Sequence, residues 1–151
     1  MGNRARELAE DINAKVAERQ EQGRLQLHRA QIINAKVDIC WRSFLKTLEA
    51  EVDDFNTALG QNITTHGIVI ANPRTAGTYN LSRRYDGASV DITIHAAEQT
   101  LRVASKRSGK DAPETIYSLT VNSEDEIVFK DREGSVDEED IAMEIIKRFP
   151  F

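Results

Sequence analysis

Few residues in this chain have side chains able to do bond chemistry, and they are scattered. There are three histidines, His28, His66 and His95, and one cysteine, Cys40. No two histidines stand at i, i+4, the spacing that brings a helical pair onto one metal ion. One thiol gives neither an internal disulfide nor a cysteine cluster. No Gly-x-Ser-x-Gly elbow, Gly-rich phosphate loop or dinucleotide fingerprint is present. The run Arg107-Ser108-Gly109-Lys110-Asp111 lacks the first glycine of a phosphate loop and is not followed by a helical pattern. The expectation is therefore no catalytic residue, no cofactor and no metal. His95 has the richest surroundings. Asp91 shares its face of an alternating stretch, and Arg84 lies across the Asp86-Gly87 turn. A carboxylate that orients an imidazole is an acid–base arrangement, so a hydrolase-type enzyme using His95 and Asp91 is a remote alternative. An ordinary cross-strand polar set has the same spacing. Cys40 precedes Trp41 on a helical pattern, where burial keeps a thiol inert.

Charge is distributed unevenly. The formal net charge is −5, with about −1 over residues 1–60, +3 over 61–113 and −7 over 114–151. Arg74, Arg83, Arg84, Arg102, Lys106, Arg107 and Lys110 all fall in the middle segment. With Asp91 and His95, the residues Arg84 and Arg102 make a candidate small anionic-ligand site on a polar sheet face. Scattered solvated charge is the plain alternative. RNA-reading sheets add exposed aromatics for stacking, whereas Tyr79, Tyr85 and Tyr117 fall in the apolar phase here. Together with the overall acidity, this argues against nucleic acid as a partner. The acidic stretch from Glu124 to Asp140 reads as turn and helix-cap chemistry.

These residues must be positioned by helices and short strands. Residues 3–59 contain no proline and one glycine, Gly23, among many good helix formers. From Leu27 an apolar stripe runs through Ala30, Asn34, Val37, Trp41, Phe44, Leu48, Val52, Phe55 and Leu59. Its steps of three and four are near-heptad spacing on one helical face. Before Gly23 the stripe thins to Ala5, Leu8, Ile12 and Val16. Gly23 is the expected place for a bend or break, and Gly60 the expected terminator.

Strand signals follow at short intervals: residues 63–71, 78–85, 88–96, 100–105, 115–121 and 127–130. Turns are expected at Asn72–Gly77 and Asp86-Gly87, and a polar loop at Arg107–Pro113. Hairpin-length connections imply an antiparallel meander. Ser135 and Glu138 are spaced as a capping box, opening a short helix whose apolar face is Ile141, Ile145 and Phe149.

The fold class expected is α+β: a long N-terminal helix, either continuous or broken near Gly23, an antiparallel meander of five to six strands, and a short C-terminal helix on the same sheet face. Residues 1–24 are a helical arm and residues 25–151 a single α+β domain. With 151 residues and 30% charged side chains, the chain can bury a real core. No apolar run reaches the 18 residues of a membrane span. Met1–Arg6 is followed by mixed charge instead of an apolar stretch, which argues against a secretory signal, and the lone cysteine suits a reducing, cytoplasmic setting. A sheet of short strands needs about 20 residues of covering helix, yet helical pattern runs for almost three times that. The surplus points to a non-enzymatic interaction or assembly protein. It would form a homodimer, or meet a protein partner, through coiled-coil contacts of Leu8, Ile12, Val16, Leu27 and Asn34, the last resembling the polar position that fixes register.

Overall fold

A computed structural model describes residues 3–70, 77–107, 110–111 and 113–150. Helix α1 spans Asn3–Leu59, 57 residues without interruption, which at 1.5 Å per residue is about 85 Å long. Gly60, at φ +55°, ends it in the left-handed conformation expected of a terminator. A 3-10 turn, Gly60–Asn62, and a single helical turn α2, Ile63–His66, lead into the sheet. The strands are β1 Val69–Ile70, β2 Thr78–Ser82, β3 Ser89–His95, β4 Thr100–Arg107, β5 Lys110–Asp111, β6 Thr115–Val121, β7 Ile127–Asp131 and β8 Gly134–Val136. Helix α3 is Glu138–Lys147. Seven strands lie in the order β1-β2-β3-β4-β6-β7-β8, with β5 paired to the end of β4. All these pairings are antiparallel.

One face of the sheet is apolar and carries the core. Tyr79 and Leu81 of β2, Val90 and Ile92 of β3, Leu101 and Val103 of β4, Tyr117 and Leu119 of β6 and Phe129 of β7 are buried. Over them lie Trp41, Phe44, Leu45, Leu48 and Val52 of α1, with Ile141, Ala142, Ile145 and Ile146 of α3 beside them. The stripe from Val37 to Phe55 is thus the roof that its spacing predicts. Phe44 is the centre: it stacks on Trp41 at 6.0 Å and meets Phe129 at 5.9 Å between ring centroids. Arg148, just after α3, donates to Ser105 Oγ at 2.7 Å, to the Pro113 carbonyl at 3.1 Å and to Thr115 Oγ1. Ser105 shares the β4 face of Leu101 and Val103, so α3 sits on the same face as α1.

Four expectations are corrected. Gly23 does not break α1. One interior glycine costs a helix only about 0.5–1 kcal/mol, and the good helix formers on either side carry the chain through. The first strand is two residues, not nine. Residues 63–66 turn helically, with the Gly67 N–H bonded to the Ile63 carbonyl at 2.9 Å. A Cβ on Gly67 would overlap that oxygen, so the glycine permits the turn that a run of β-branched residues hides. The sheet has seven strands along its path rather than five to six, because β8 is too short to alternate. It follows a turn in which Asp131 Oδ1 accepts the Glu133 and Gly134 N–H groups at 2.8 and 3.1 Å. Ser135 is not the helix cap: it pairs with Lys130 in the sheet, and Asp137 Oδ1 accepts the Asp140 N–H instead, at 2.8 Å.

Two further adjustments concern loops. Of the expected Arg107–Pro113 loop, the described residues Lys110 and Asp111 continue the hairpin, Lys110 opposite Arg107 and Asp111 opposite Lys106. The expected Asn72–Gly77 turn lies outside the described residues except for Gly77, whose φ of +75° is one that glycine accommodates.

Candidate functional site

Every residue from Asn3 to Arg29 is exposed, the first 27 described residues of α1. At 1.5 Å per residue this is an arm about 40 Å long. Its base is tied to the body. His28 Nε2 lies 3.1 Å from Asp125 Oδ1 in the β6–β7 turn, and Lys36 Nζ donates to the Asp125 carbonyl at 2.7 Å. Beyond that point the helix leaves the sheet.

The arm is not uniformly polar. Leu8, Ile12, Val16 and Leu27 remain 61%, 52%, 44% and 60% exposed. Ala5, Val16 and Leu27 are each eleven residues apart. Eleven residues make three turns of about 3.67 residues, so this face stays in line along a nearly straight helix. The same phase continues through Ala30, Asn34 and Val37 to the buried Trp41, Phe44, Leu48 and Val52. Asn34 is itself exposed, at the point where the sheet begins to cover the helix. The seam therefore faces the side on which the body lies. Its flanks carry intrahelical ion pairs, Arg6 with Glu10 at 3.4 Å and Arg24 with Glu21 at 2.6 Å. The Glu21 carboxyl is held below the usual carboxylate range by its hydrogen bond to Arg24, and then by the charge of that guanidinium. Such exposed pairs are screened by solvent and contribute little, so they support the helix without occupying its seam.

The polar sheet face presents its residues in separate rows. Asn80, Asp91 and Ala104 pair across β2, β3 and β4, and Thr78, Thr93, Arg102 and Ile116 form the next row. Asp91 accepts from the Asn80 amide at 2.5 Å and meets Lys106 Nζ at 3.4 Å. Arg102 is held by Glu98 at 2.9 Å and Glu114 at 3.4 Å. His95 lies at the end of β3, with Nε2 3.2 Å from Thr93 Oγ1. Four residues of strand separate His95 from Asp91, about 13 Å. Arg84 lies near the opposite end of β3, in the β2–β3 connection. Its cleft, of about 590 Å³, is lined with Val52, Asp53, Asn56, Ile68 and Val69 among others. The structure does not bring Arg84, Asp91, His95 and Arg102 together.

In the same connection Arg83, 5% exposed, pairs with Asp86, whose Oδ1 also accepts the Ala88 N–H at 3.1 Å. This buried ion pair was legible only as the i, i+3 spacing of Arg83 and Asp86 before a glycine. Tyr79 and Tyr117 are buried as expected, while Tyr85 is 71% exposed on the turn. Cys40 is half-buried, and desolvation, followed by the nearby Glu138 carboxylate, pushes its pKa up to about 12. The thiol is protonated at neutral pH and is not a nucleophile. Among the described residues no group of three His, Cys, Asp or Glu side chains could hold a metal ion. Among the same residues no helix is long and apolar enough to cross a membrane.

Compared with protein-family models, curated proteins and solved structures, the chain finds no match. The functional reading rests on the geometry alone.

Proposed function

We propose that this chain is a non-enzymatic assembly module that pairs with a second copy of itself through antiparallel contact of the helical arms. The observation that carries this reading is the arm: 27 exposed helical residues with Leu8, Ile12, Val16 and Leu27 exposed along one face. An isolated, charged helix of this length is marginal in water, and burying the seam supplies what propensity alone lacks.

Two arguments favour a second copy in antiparallel orientation. The seam points to the side the body occupies, so parallel arms would force two bodies into one space. Antiparallel arms place the bodies at opposite ends. The arm is also self-complementary in charge: residues 3–29 carry six basic and five acidic groups, interspersed. Setting Leu8 against Leu27 places Asp11 beside Arg24 and Ile12 over Gly23, where even an added Cβ would meet no atom within 4 Å.

Burying the exposed half of Leu8, Ile12, Val16 and Leu27 on both chains yields about 6–12 kcal/mol. Association itself costs on the order of 4–15 kcal/mol. The favourable end of this balance describes a reversible dimer with a dissociation constant in the micromolar range, about −8 kcal/mol. The protonated thiol and the single cysteine suit a reducing, cytoplasmic setting for it.

Solution mass tests the reading. Sedimentation equilibrium of the full chain at tens of micromolar should give twice the chain mass, and removal of residues 1–24 should give the mass of one chain. A full-length monomer at that concentration would reject it.

A further inference from the structure

The free edge of the sheet beside α1 presents two unused backbone groups. In an antiparallel pair, successive residues bond alternately toward the partner strand and away from it. Arg83 bonds to the β3 side: its N–H donates to the Ala88 carbonyl at 2.8 Å, and its carbonyl accepts the Gly87 N–H at 3.0 Å. Ser82 therefore bonds toward β1, where it pairs with Val69. Ile68 and Ile70, on either side of Val69, then turn their N–H and C=O groups to the open edge. At Ile68 the Asn56 amide takes both, at 2.9 and 2.8 Å. At Ile70 no group among the described residues takes either.

The second observation is the cleft onto which this edge opens. It is the cleft of about 590 Å³ that Arg84 lines, and Asp53, Asn56, Ile68 and Ile70 share it. Helix α1 runs antiparallel to β1. Asn56 is level with Ile68, while Glu49 accepts from the Tyr79 hydroxyl at 3.0 Å. Tyr79 lies two residues before Leu81, the partner of Ile70, so it stands beyond the C-terminal end of β1. Asp53, one turn before Asn56, is accordingly level with Ile70. Arg84 is at the other end: continuing the register from Val69 and Ser82 sets it level with Gly67. The cleft is thus a trough with a carboxylate at one end and a guanidinium at the other, three strand residues or about 10 Å apart. Val52, Ile63 and Ile68 supply apolar lining between them. Arg83 pairs with Asp86, and among the described residues neither Asp53 nor Arg84 makes an ion pair.

We infer that this trough binds a short free peptide of about three residues, with its ammonium group at Asp53 and its carboxylate at Arg84. An extended tripeptide spans about 10 Å between its termini, which matches the separation of the two charges. Running antiparallel to β1, its first residue stands opposite Ile70. The carbonyl of that residue accepts the Ile70 N–H, and the ammonium donates to the Ile70 carbonyl as well as to Asp53. The middle side chain then lies over Ile63 and Ile68, so an apolar residue suits that position. A longer strand cannot add along β1, because Asn56 already occupies the edge at Ile68. An internal segment of a protein also lacks the two terminal charges that the ends of the trough complement.

Isotope-edited NMR titration of the full chain in low-salt buffer tests this. The probes are Ala-Val-Ala with free termini, the same peptide acetylated and amidated at its ends, and free valine. The free tripeptide should shift the Ile70 amide saturably at millimolar concentration. The blocked peptide, which has lost both charges, and valine, which cannot reach both ends, should each bind about tenfold more weakly or worse. Asp53→Asn and Arg84→Gln should each weaken the free tripeptide about three- to fivefold, as expected of exposed charge pairs, and leave the blocked peptide unaffected. No saturable shift at Ile70, a blocked peptide or valine that binds as tightly as the free tripeptide, or unchanged affinity in either variant would overturn the inference.

Discussion

Asn56→Ala is the substitution whose cost follows most directly from the structure. The Asn56 side chain acts as a substitute strand for the segment entering β1. Its Nδ2 donates to the Ile68 carbonyl at 2.8 Å, and its Oδ1 accepts the Ile68 N–H at 2.9 Å. Ile68 is 3% exposed, so water does not readily replace the amide. Truncation leaves one donor and one acceptor without partners at a buried site, each costing about 1–3 kcal/mol. Allowing for partial relaxation, the expected loss is about 2–4 kcal/mol. Asn56→Asp separates the two bonds: it keeps the acceptor for the Ile68 N–H but sets a carboxylate oxygen against the Ile68 carbonyl, so it should be no better than alanine. Urea denaturation measures the total, with an unchanged m-value. Hydrogen exchange at the Ile68 amide reports the local bond. A loss below about 0.5 kcal/mol, with Ile68 protection unaltered, would refute the reasoning.

Three other expectations can be checked on the same footing. Phe44→Ala removes the side chain that joins Trp41 to Phe129 at the fully buried centre of the core, and denaturation should show a loss of about 3–5 kcal/mol. Gly67→Ala drives a Cβ into the Ile63 carbonyl, so it should lower Tm, although its φ of −65° is one that alanine adopts readily. Cys40, with a folded pKa of about 12 against a reference of 9.0, should react slowly with thiol reagents at neutral pH. Because the unfolded thiol ionises first, its contribution to stability is intact below about pH 9 and is lost as pH rises toward 12. Cys40→Ala should flatten that alkaline decline.

The helices and the long strands were legible because each repeats its own period often enough to be read. Trp41, Phe44, Leu48 and Val52 fall on one helical face, and Val90 and Ile92 alternate with Asp91. The failures are local. Residues 63–66 look like a strand because Ile63, Thr64 and Thr65 are β-branched, and only the contact between Gly67 and Ile63 reveals the turn. Strand β8 is three residues, held by pairing to β7 and not by any pattern of its own. The capping role passed from Ser135 to Asp137 for the same reason. Which face of the sheet is polar was readable, but whether Arg84 and His95 meet depends on where β2 ends.

Pulsed electron–electron spin resonance on the arm tests the central claim most directly. Labels are placed singly at Glu7→Cys and at Glu18→Cys in a Cys40→Ala background. Antiparallel pairing with Leu8 opposite Leu27 puts the two Glu18 labels about 20 Å from each other, since residue 18 then lies level with residue 17 of the second copy and the helix axes run about 8–10 Å apart. It separates the two Glu7 labels by about 30 Å, the rise of some 21 helical residues. Two short distances would mean parallel arms, and no distance between chains at either label would mean that the arm meets no second copy; either result contradicts the account.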